Sequence, residues 1–568
     1  MTSSINRRQL LRAVLLAGAG LSFPGLFPLW ARSGTPGLLP DAQTLSGEDI
    51  ALTVGNGRFT VGGRTGGAVT INGSVPAPLI RLKQGQDVRI AVTNTLAQDT
   101  SIHWHGVLLP FQMDGVPGVS FPGIRPGETF VYRFPIRHAG TFWYHSHSDL
   151  QEQLGHYGPL IFDPASPDPV EYDREHIVVL SDWTFMDPHR MMHKLKKEAG
   201  YFNNQRHTLA GLIGDSGPEE QMSLTDRLMW KRMRMDPTDI ADITGSTYTY
   251  LINGYGAQEN WTGLFLPGER VRLRVINASA MTVFNVRIPD LPMSVVQADG
   301  NDVRPVEVDE FQISVAETYD VVVQPTEDRA FTLVAESVDR SGMARATLAP
   351  RLGMTAPVPL LRPRPTLGMD DMGMAMDHDM DAMDMRDKSL APPDMQVDPG
   401  VDMIAMNPQD AAGKPGLGLE NVGHRVLVYT DLVALEPNPD PRPPSRSLEI
   451  HLTGNMERFM WSFDGRKFSE VVEPIRFARD ERVRVTLVND TMMQHPIHLH
   501  GHFFELVNGH AGHHPMKHTV NVLPGSKITF DLTADNPGDW AFHCHLLFHM
   551  HAGMFNVVTV RPLDGGAA

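Results

Sequence analysis

Three segments of the chain repeat one pattern, an alternating strand that follows a tight turn. The turns are Asn72-Gly73, Asn253-Gly254 and Asp464-Gly465, and the strands span residues 88–94, 271–277 and 483–489, each of the form Val-Arg-x-x-x-x-Asn. Alternating apolar and polar residues predict half-buried strands, and Asn-Gly and Asp-Gly are typical of hairpin turns. A chain of 568 residues has room for three or four domains. The repeat therefore predicts an all-β protein of three related β-sandwich domains.

The repeat also aligns histidines of the first and third copies. A histidine lies nine residues after the closing Asn in both copies, His103 in the first and His498 in the third. A Pro-Gly pair precedes His145 and His543 by the same nineteen residues. Each of these histidines belongs to a His-x-His pair, so we expect four histidines from each of these two domains to meet at one site between them.

The other positions of the repeat differ between the copies. In the second copy, apolar Val286 and Ile288 take the histidine positions, and residues 330–334 align with residues 541–545, so we expect a metal-free middle domain. The first copy has no thiolate. Its residues Thr100, Ser146, Gln151 and His156 stand opposite His495, Cys544, His549 and Met554 of the third copy.

Cys544 is the only cysteine, so the chain contains no internal disulfide. If residues 541–545 form a strand, His543 and His545 share one face and Cys544 projects from the other. His549 and Met554 follow at intervals of five residues, and His495 has the parity that would bring it to the same face as the thiol. A thiolate, two imidazoles and a thioether form a donor set typical of electron-transfer copper. The pattern therefore predicts a copper site made of His495, Cys544, His549 and Met554.

The motifs HWHG, HSH, HPIHLHG and HCHLLFHMHAGM, in this order, resemble those of the multicopper oxidases, and the resemblance extends over nearly all of the chain that would remain after export. It implies three cupredoxin-like, Greek-key domains and four copper ions per chain. His495, Cys544, His549 and Met554 would hold type 1 copper. Type 2 copper would be held by His103 and His498. The coupled type 3 pair would be held by His105, His145, His147, His500, His543 and His545.

The resemblance also implies catalytic roles. Electrons would enter at Cys544 and His549, and dioxygen would be reduced to water at the eight-histidine cluster, which consumes protons. Asp114 matches a carboxylate that the family places beside this cluster, so we expect it to deliver protons; the alternative is a turn residue in Met-Asp-Gly. Some cuprous oxidases carry a glutamate directly after the histidine that corresponds to His549, where this chain has Met550. Either His551 replaces that glutamate as a proton carrier, or the relay runs elsewhere.

The N-terminal sequence Asn6-Arg7-Arg8-Gln9-Leu10-Leu11 and the short apolar run after it predict a twin-arginine export signal over residues 1–31, and hence a periplasmic protein without a stable membrane anchor. We predict domain 1 over residues 45–165 and domain 2 over residues 172–350, with a helical insertion at about residues 191–239. Residues 351–423 would form a mobile Met- and Asp-rich linker, followed by domain 3 over residues 424–563.

The linker contains a run of methionines that is unusual for a solvated segment. Thioethers are soft donors selective for Cu(I), and the neighbouring aspartates attract cations. We interpret the run as a Cu(I)-capture segment, with low-complexity drift as the alternative. Its candidate ligands are Met369, Met372, Met374, Met376, His378, Met380, Met383 and Met385.

This segment narrows the resemblance to the periplasmic copper-resistance oxidases, which implies oxidation of Cu(I) to Cu(II) with dioxygen as the second substrate. A laccase-like oxidase would instead take phenols or aromatic amines at an exposed edge of His549. A copper-sequestering protein is the non-enzyme alternative. The net charge of −17 argues against a nucleic-acid partner, and we favour a monomer.

Overall fold

The computed structural model describes residues 44–203, 230, 235–373, 387–393, 395–397 and 400–562. Within these ranges the chain forms six β-sheets that group as three pairs, one pair for each copy of the repeat. The predicted all-β fold of three sandwich domains is confirmed. No helix of the described part is long and apolar enough to span a membrane. The predicted export signal, residues 1–31, lies outside the described residues.

The first domain pairs a sheet of order β3-β2-β5-β7 with a sheet of order β1-β4-β9-β8-β6. Its strands are β1 (Thr44–Leu45), β2 (Asp49–Val61), β3 (Arg64–Ile71), β4 (Leu79–Lys83), β5 (Asp87–Asn94), β6 (His103–His105), β7 (Thr129–Pro135), β8 (Gly140–His145) and β9 (Tyr157–Asp163).

The second domain pairs a sheet of order β12-β11-β10-β14-β19-β16-β17 with one of order β13-β21-β20-β15-β18. Its strands are β10 (Arg174–Trp183), β11 (Thr249–Ile252), β12 (Tyr255–Gly256), β13 (Trp261–Leu264), β14 (Val271–Asn277), β15 (Phe284–Arg287), β16 (Met293–Ala298), β17 (Asn301–Val308), β18 (Glu310–Ile313), β19 (Thr318–Val323), β20 (Phe331–Ser337) and β21 (Met343–Ala349).

The third domain pairs a sheet of order β24-β23-β26-β31-β28-β29, with β22 beside β31, with one of order β25-β33-β32-β27-β30. Its strands are β22 (Gln409–Asp410), β23 (Arg446–Asn455), β24 (Met460–Phe463), β25 (Ile475–Ala478), β26 (Arg482–Asn489), β27 (His495–Leu499), β28 (Phe504–Leu506), β29 (Met516–Lys517), β30 (Thr519–Val522), β31 (Ser526–Thr533), β32 (Gly538–Cys544) and β33 (Phe555–Arg561).

Two short α-helices have both ends within the described residues, α1 (Pro188–Lys197) and α2 (Leu547–Ala552). The carboxylate of Asp187 accepts a hydrogen bond from the Arg190 backbone N–H and caps α1, while Pro188 occupies its first turn. This helix opens the predicted helical insertion, most of which, residues 204–229 and 231–234, lies outside the described residues. The 3₁₀ turns are Phe111–Met113, Glu152–Leu154, Ala199–Tyr201, Asp370–Met372, Lys388–Leu390, Tyr429–Asp431 and Phe468–Glu470.

The repeated asparagine closes the same corner in every domain. The buried amide of Asn94 donates to the carbonyls of Gln98 and Ile124 at 2.9 and 2.8 Å. Asn277 and Asn489 donate to corresponding pairs of carbonyls in the second and third domains. Because a buried carbonyl without a donor is costly, each asparagine ties the end of its strand to two loops.

Strand alternation separates two faces where the histidines lie. In the first domain Ile102 and Trp104 point into the core, whereas His103 and His105 point out of the sandwich. In the third domain, Ile497 and Leu499 are core residues and pair with the Cys544 side of β32. The registers match, because His103 pairs with His145 and His498 pairs with His543.

The predicted alignment of the second copy is wrong, by one residue at Val286 and by two at residues 330–334, because Arg287 pairs with Val334 as His498 pairs with His543. Val286 packs in the core, so its neighbour Arg287 takes the outward position and stands opposite Val334 on β20. The reason is a longer loop: the Asn277 amide reaches the carbonyl of Thr282, five residues on, whereas the other two copies use the fourth residue. Among the described residues, none of the groups able to hold a metal lies in this domain.

The prediction of an unpacked linker over residues 351–423 is wrong for the parts that are described. Leu367, Met372, Met403 and Leu417 are buried in one apolar cluster with residues of domains 2 and 3. Arg362 forms ion pairs with buried glutamates of domain 2. A few apolar residues, far apart in the segment, hold it against domains 2 and 3. The overall composition of the segment does not reveal this packing.

We expect Asn277→Ala to lower the free energy of unfolding by roughly 2–4 kcal/mol, because two buried carbonyls lose their donor. Chemical denaturation of the metal-free protein measures the change. The matched control Asn56→Ala, at an exposed position of β2, should stay within about 0.5 kcal/mol of the native value. Equal stability of the two variants would contradict the role of the repeated asparagine.

Candidate metal centre

Three side chains converge inside the third domain. The Cys544 Sγ lies 3.5 Å from His495 Nδ1 and 3.9 Å from His549 Nδ1, and the two nitrogens are 3.2 Å apart. Met554 is also fully buried, and its backbone carbonyl accepts a hydrogen bond from the Cys544 N–H. The strand β32 places the thiol, the helix α2 places His549, and β27 places His495, so the tertiary fold brings together the four residues predicted from the sequence.

The outer edge of His549 is covered. Its Nε2 lies 2.7 Å from a carboxylate oxygen of Asp242, and Trp461 stacks on the ring with centroids 3.8 Å apart. The ring is 0 % exposed, so the exposed edge that the laccase-like alternative requires is not found at His549. Burial raises the pKa of Asp242 to about 8. Sequence reasoning missed Asp242 because it belongs to the middle domain and stands in no ligand motif.

Eight histidines from domains 1 and 3 meet at the boundary between the two domains. His147, His500 and His543 form one triad, with ring centroids 5.0–5.2 Å apart. A second triad is formed by His105, His145 and His545, with centroids 4.9–5.7 Å apart. The remaining two, His103 and His498, have centroids 5.9 Å apart.

Six of the rings have one nitrogen in contact with a protein acceptor, those of His103, His105, His145, His498, His500 and His543. His498 Nδ1, for example, donates to the His518 carbonyl at 2.7 Å, and its Nε2 is buried without a partner. His500 Nε2 and His543 Nε2 face each other at 3.0 Å. The other inward nitrogens that are buried without a hydrogen-bond partner are His103 Nε2, His105 Nδ1, His145 Nε2, His147 Nε2 and His545 Nε2.

This donor set fits copper. Burial lowers the pKa of the eight-histidine cluster members His105, His145, His498 and His545, which keeps the rings neutral, the form that binds a metal. Burial also raises the pKa of the Cys544 thiol, and a soft cation would replace its proton. Unpartnered buried nitrogens that converge on one space are costly unless a cation joins them.

Two buried carboxylates orient histidines of this cluster. Asp114 Oδ2 lies 2.9 Å from His500 Nδ1. The Asp114 backbone carbonyl accepts a hydrogen bond from His103 Nδ1 at 2.8 Å, and Oδ1 lies 3.2 Å from the same nitrogen, so one residue contacts histidines of both domains. Glu152 Oε2 lies 2.7 Å from His145 Nδ1, and burial raises the pKa of Glu152. Sequence reasoning identified Asp114 but missed Glu152, which follows the HSH motif without a recognisable pattern.

A ninth imidazole, His518, packs against the cluster and was also missed. Its ring centroid lies 4.7 Å from that of His105 and 5.3 Å from that of His498. Burial lowers the pKa of His518 to about 4. By contrast, the His551 side chain is exposed on α2.

The first domain has a polar cluster where the third domain has its thiol. Gln151 Oε1 accepts hydrogen bonds from Thr100 Oγ1 at 2.7 Å and Ser146 Oγ at 3.0 Å. His156, the residue predicted to stand opposite Met554, is also buried. These contacts agree with the predicted register, in which Ser146 stands opposite Cys544.

Only the first two residues of the predicted Cu(I)-capture segment are described. Met369 and Met372 pack in an apolar cluster with Met235, Met403 and Met492. Ile240 and Ala241 belong to the same cluster and directly precede Asp242, which contacts His549. The other candidates, Met374, Met376, His378, Met380, Met383 and Met385, lie outside the described residues.

Three family models, each described as multicopper oxidase, match residues 53–167, 174–351 and 441–564. Among solved structures, that of Fet3p, a multicopper oxidase that functions in iron import, superposes with a TM-score of 0.63 at 20% identity, covering 91% of this chain and 90% of the other. The laccase from Botrytis aclada superposes with a TM-score of 0.62 at 21% identity, covering 91% and 88%. At this identity the two structures support the fold alone.

Curated relatives extend the match to the whole chain. The copper resistance protein A homolog of Pseudomonas syringae pv. tomato is 48% identical over 99% of this chain and 100% of its own length. Copper resistance protein A of Escherichia coli is 46% identical with the same coverage. The multicopper oxidase MmcO of Mycobacterium tuberculosis is 31% identical over 90% of this chain and 87% of its own. With all three domains matched and the donor geometry in place, the chain belongs to the multicopper oxidase family.

Proposed function

We propose that this protein oxidises Cu(I) to Cu(II) in copper resistance, with dioxygen as the electron acceptor. Four Cu(I) ions supply four electrons, and dioxygen takes these with four protons to form two water molecules. The relatives named for copper resistance support this role. The twin-arginine signal over residues 1–31 supports export to the periplasm, where the reaction would convert Cu(I) to the less toxic ion.

Twelve residues would hold four resident copper ions, which when bound supply one-electron redox chemistry and the reduction of dioxygen. The two histidine triads correspond to the type 3 pair, and His103 with His498 corresponds to type 2. The buried set of His495, Cys544, His549 and Met554 corresponds to type 1. Cys544 is covalently continuous with His543 and His545, so only a few bonds separate the two donor sets.

The closed environment of His549 is the observation that favours Cu(I) over a phenol. The cavity beside Asp242, lined also by Tyr250, Met281 and Met493, measures about 10 Å³. This space accommodates about one water molecule and no aromatic ring. Nearby thioethers instead suit the soft Cu(I) ion, and the carboxylate attracts its positive charge. The laccase-like alternative needs a wider cleft at this position.

The complete set of twelve donors argues against a protein that only sequesters copper, because storage does not require a thiolate joined by one peptide segment to a histidine cluster.

The position of Asp114 further supports a catalytic turnover. Its carboxylate reaches histidines of both domains, and we assign it the delivery of protons beside the cluster.

Replacement of the thiol tests the electron route. We expect Cys544→Ser to abolish the intense blue absorption and Cu(I)-dependent oxygen uptake, because a serine hydroxyl is a poor soft ligand. Copper analysis should show that the other three ions remain. The matched control is Ser146→Ala at the corresponding position of domain 1, which should keep both signals. Turnover in Cys544→Ser would refute the proposed route.

Replacement of the outer methionines tests the capture segment. We expect a variant with leucine at Met374, Met376, Met380, Met383 and Met385 to raise the KM for Cu(I) about tenfold, because leucine keeps the size but removes the thioether. The blue absorption of the type 1 site serves as the control and should not change, because its four donors are intact. Unaltered Cu(I) kinetics would remove the segment from the mechanism, and rapid phenol turnover by the native protein would favour the laccase-like alternative.

Replacement of Asp114 tests the delivery of protons to the histidine cluster. Asp114→Asn should slow dioxygen reduction by about 10²–10⁴, the usual contribution of a positioned acid, while the copper content stays native. Stopped-flow reoxidation of the fully reduced protein measures this step directly. Asp114→Glu, which retains a carboxyl group, should recover part of the rate. A native rate in Asp114→Asn would exclude the proton role.

A further inference from the structure

The middle domain reaches the eight-histidine cluster through one buried turn. Asp299 and Gly300 connect β16 to β17 with positive φ angles of 47° and 73°. A Cβ atom on Gly300 would lie 2.3 Å from the ring of Phe142 on β8, so the turn is in close contact with domain 1. Domain 2 is therefore packed directly behind β8, the strand of domain 1 that ends at His145.

The Asp299 side chain crosses from domain 2 to domain 3. Its Oδ2 accepts hydrogen bonds from the backbone N–H groups of His518 and Thr519 at 3.3 and 3.1 Å. The same oxygen lies 3.1 Å from the Lys517 ammonium group, and all of these side chains are fully buried. Glu317 of domain 2 provides a second carboxylate for Lys517 at 3.1 Å. One carboxylate thus holds three consecutive residues of domain 3.

These residues contact copper ligands on their other side. The His518 carbonyl accepts a hydrogen bond from His498 Nδ1 at 2.7 Å. The Thr519 hydroxyl lies 3.1 Å from His498 Nδ1 and 3.3 Å from His105 Nε2. These contacts involve the outer nitrogens, which leaves His498 Nε2 and His105 Nδ1 directed inward. His105 belongs to domain 1 and His498 to domain 3, so the segment bridges both halves of the cluster.

We propose that Asp299 is a positioning residue of the histidine cluster, and that it acts through the backbone of His518 and the hydroxyl of Thr519 to set the rings of His498 and His105. The middle domain then serves as the template that aligns two half-sites from other domains. This inference rests on the proposed copper assignment, in which His498 holds type 2 copper and His105 one of the type 3 pair. Residues that orient metal ligands in this way typically affect metal affinity by about 10–100-fold when replaced.

An Asn side chain has one acceptor oxygen where Asp299 has two, so it cannot accept all of the hydrogen bonds that the carboxylate accepts. Lys517 would also lose one of its two negatively charged partners. We therefore expect Asp299→Asn, reconstituted with copper as the full-length protein, to bind type 2 copper about 10–100-fold more weakly. The type 2 signal in electron paramagnetic resonance, measured in a chelator titration, reports this change. The blue absorption of type 1 copper should remain native, because Cys544 faces the opposite side of β32.

A second pair of variants covers the case in which Asp299→Asn does not fold. Thr519→Val removes the hydroxyl at constant shape and should weaken the same signal, whereas Thr519→Ser should restore it. Glu505→Gln is the matched control, since it breaks the buried ion pair with Arg482 in domain 3 away from the histidines, and it should bind four copper ions with native affinity.

The outcomes distinguish the positioning role of Asp299 from the copper assignment on which it rests. Native type 2 affinity in both Asp299→Asn and Thr519→Val would overturn the positioning role and leave the oxidase proposal intact. A native protein that fails to bind four copper ions would instead refute the copper assignment itself. Selective loss of the type 2 signal in both variants, with the blue absorption retained, would support the inference.

Discussion

The alternation of side chains along β32 is the constraint on which the rest of the structure depends. A strand must direct successive residues to opposite faces, so Cys544 points into the third domain while His543 and His545 point out of it. One strand therefore contributes Cys544 to a site inside the third domain, and His543 and His545 to a site shared with the first domain. The first domain repeats the outward half with the HSH motif, and Ser146 occupies the inward position without a soft donor.

Burial of many imidazoles creates the second requirement, because each ring has two polar nitrogens and both must be satisfied. The protein supplies an acceptor for one nitrogen of six of the rings, from backbone carbonyls, the Thr519 hydroxyl, Asp114 and Glu152. The inward nitrogens converge, and most of them are buried without a hydrogen-bond partner. Neutral rings fixed in this way are ready to bind a cation with little reorganisation, which is the physical basis for a preformed metal centre.

The middle domain has the same sandwich fold, but none of the groups able to hold a metal lies among its described residues. Its outward position on β15 carries Arg287, paired with buried glutamates, in place of a histidine. Its contribution is instead made through single carboxylates at domain boundaries. Asp242 covers His549 near the type 1 residues, and Asp299 holds the segment that contacts His498 and His105. Single carboxylates of the middle domain thus contact residues at both of the proposed copper sites.

The sequence by itself determined the three sandwich domains and the predicted donors, because strand periodicity, turn residues and ligand spacing are local properties of the chain. It placed Ser146 opposite Cys544 correctly for the same reason. It misaligned Val286, since one extra loop residue after Asn277 shifts the strand, and it missed Asp242, Glu152, Asp299 and His518. Glu152 contacts His145 of its own domain, through a loop whose local sequence carries no recognisable pattern. Asp242 and Asp299 instead contact residues far away in the chain, and His518 contacts His105 of another domain, so only the packing of domains against one another decided these contacts and which edges remain closed to solvent.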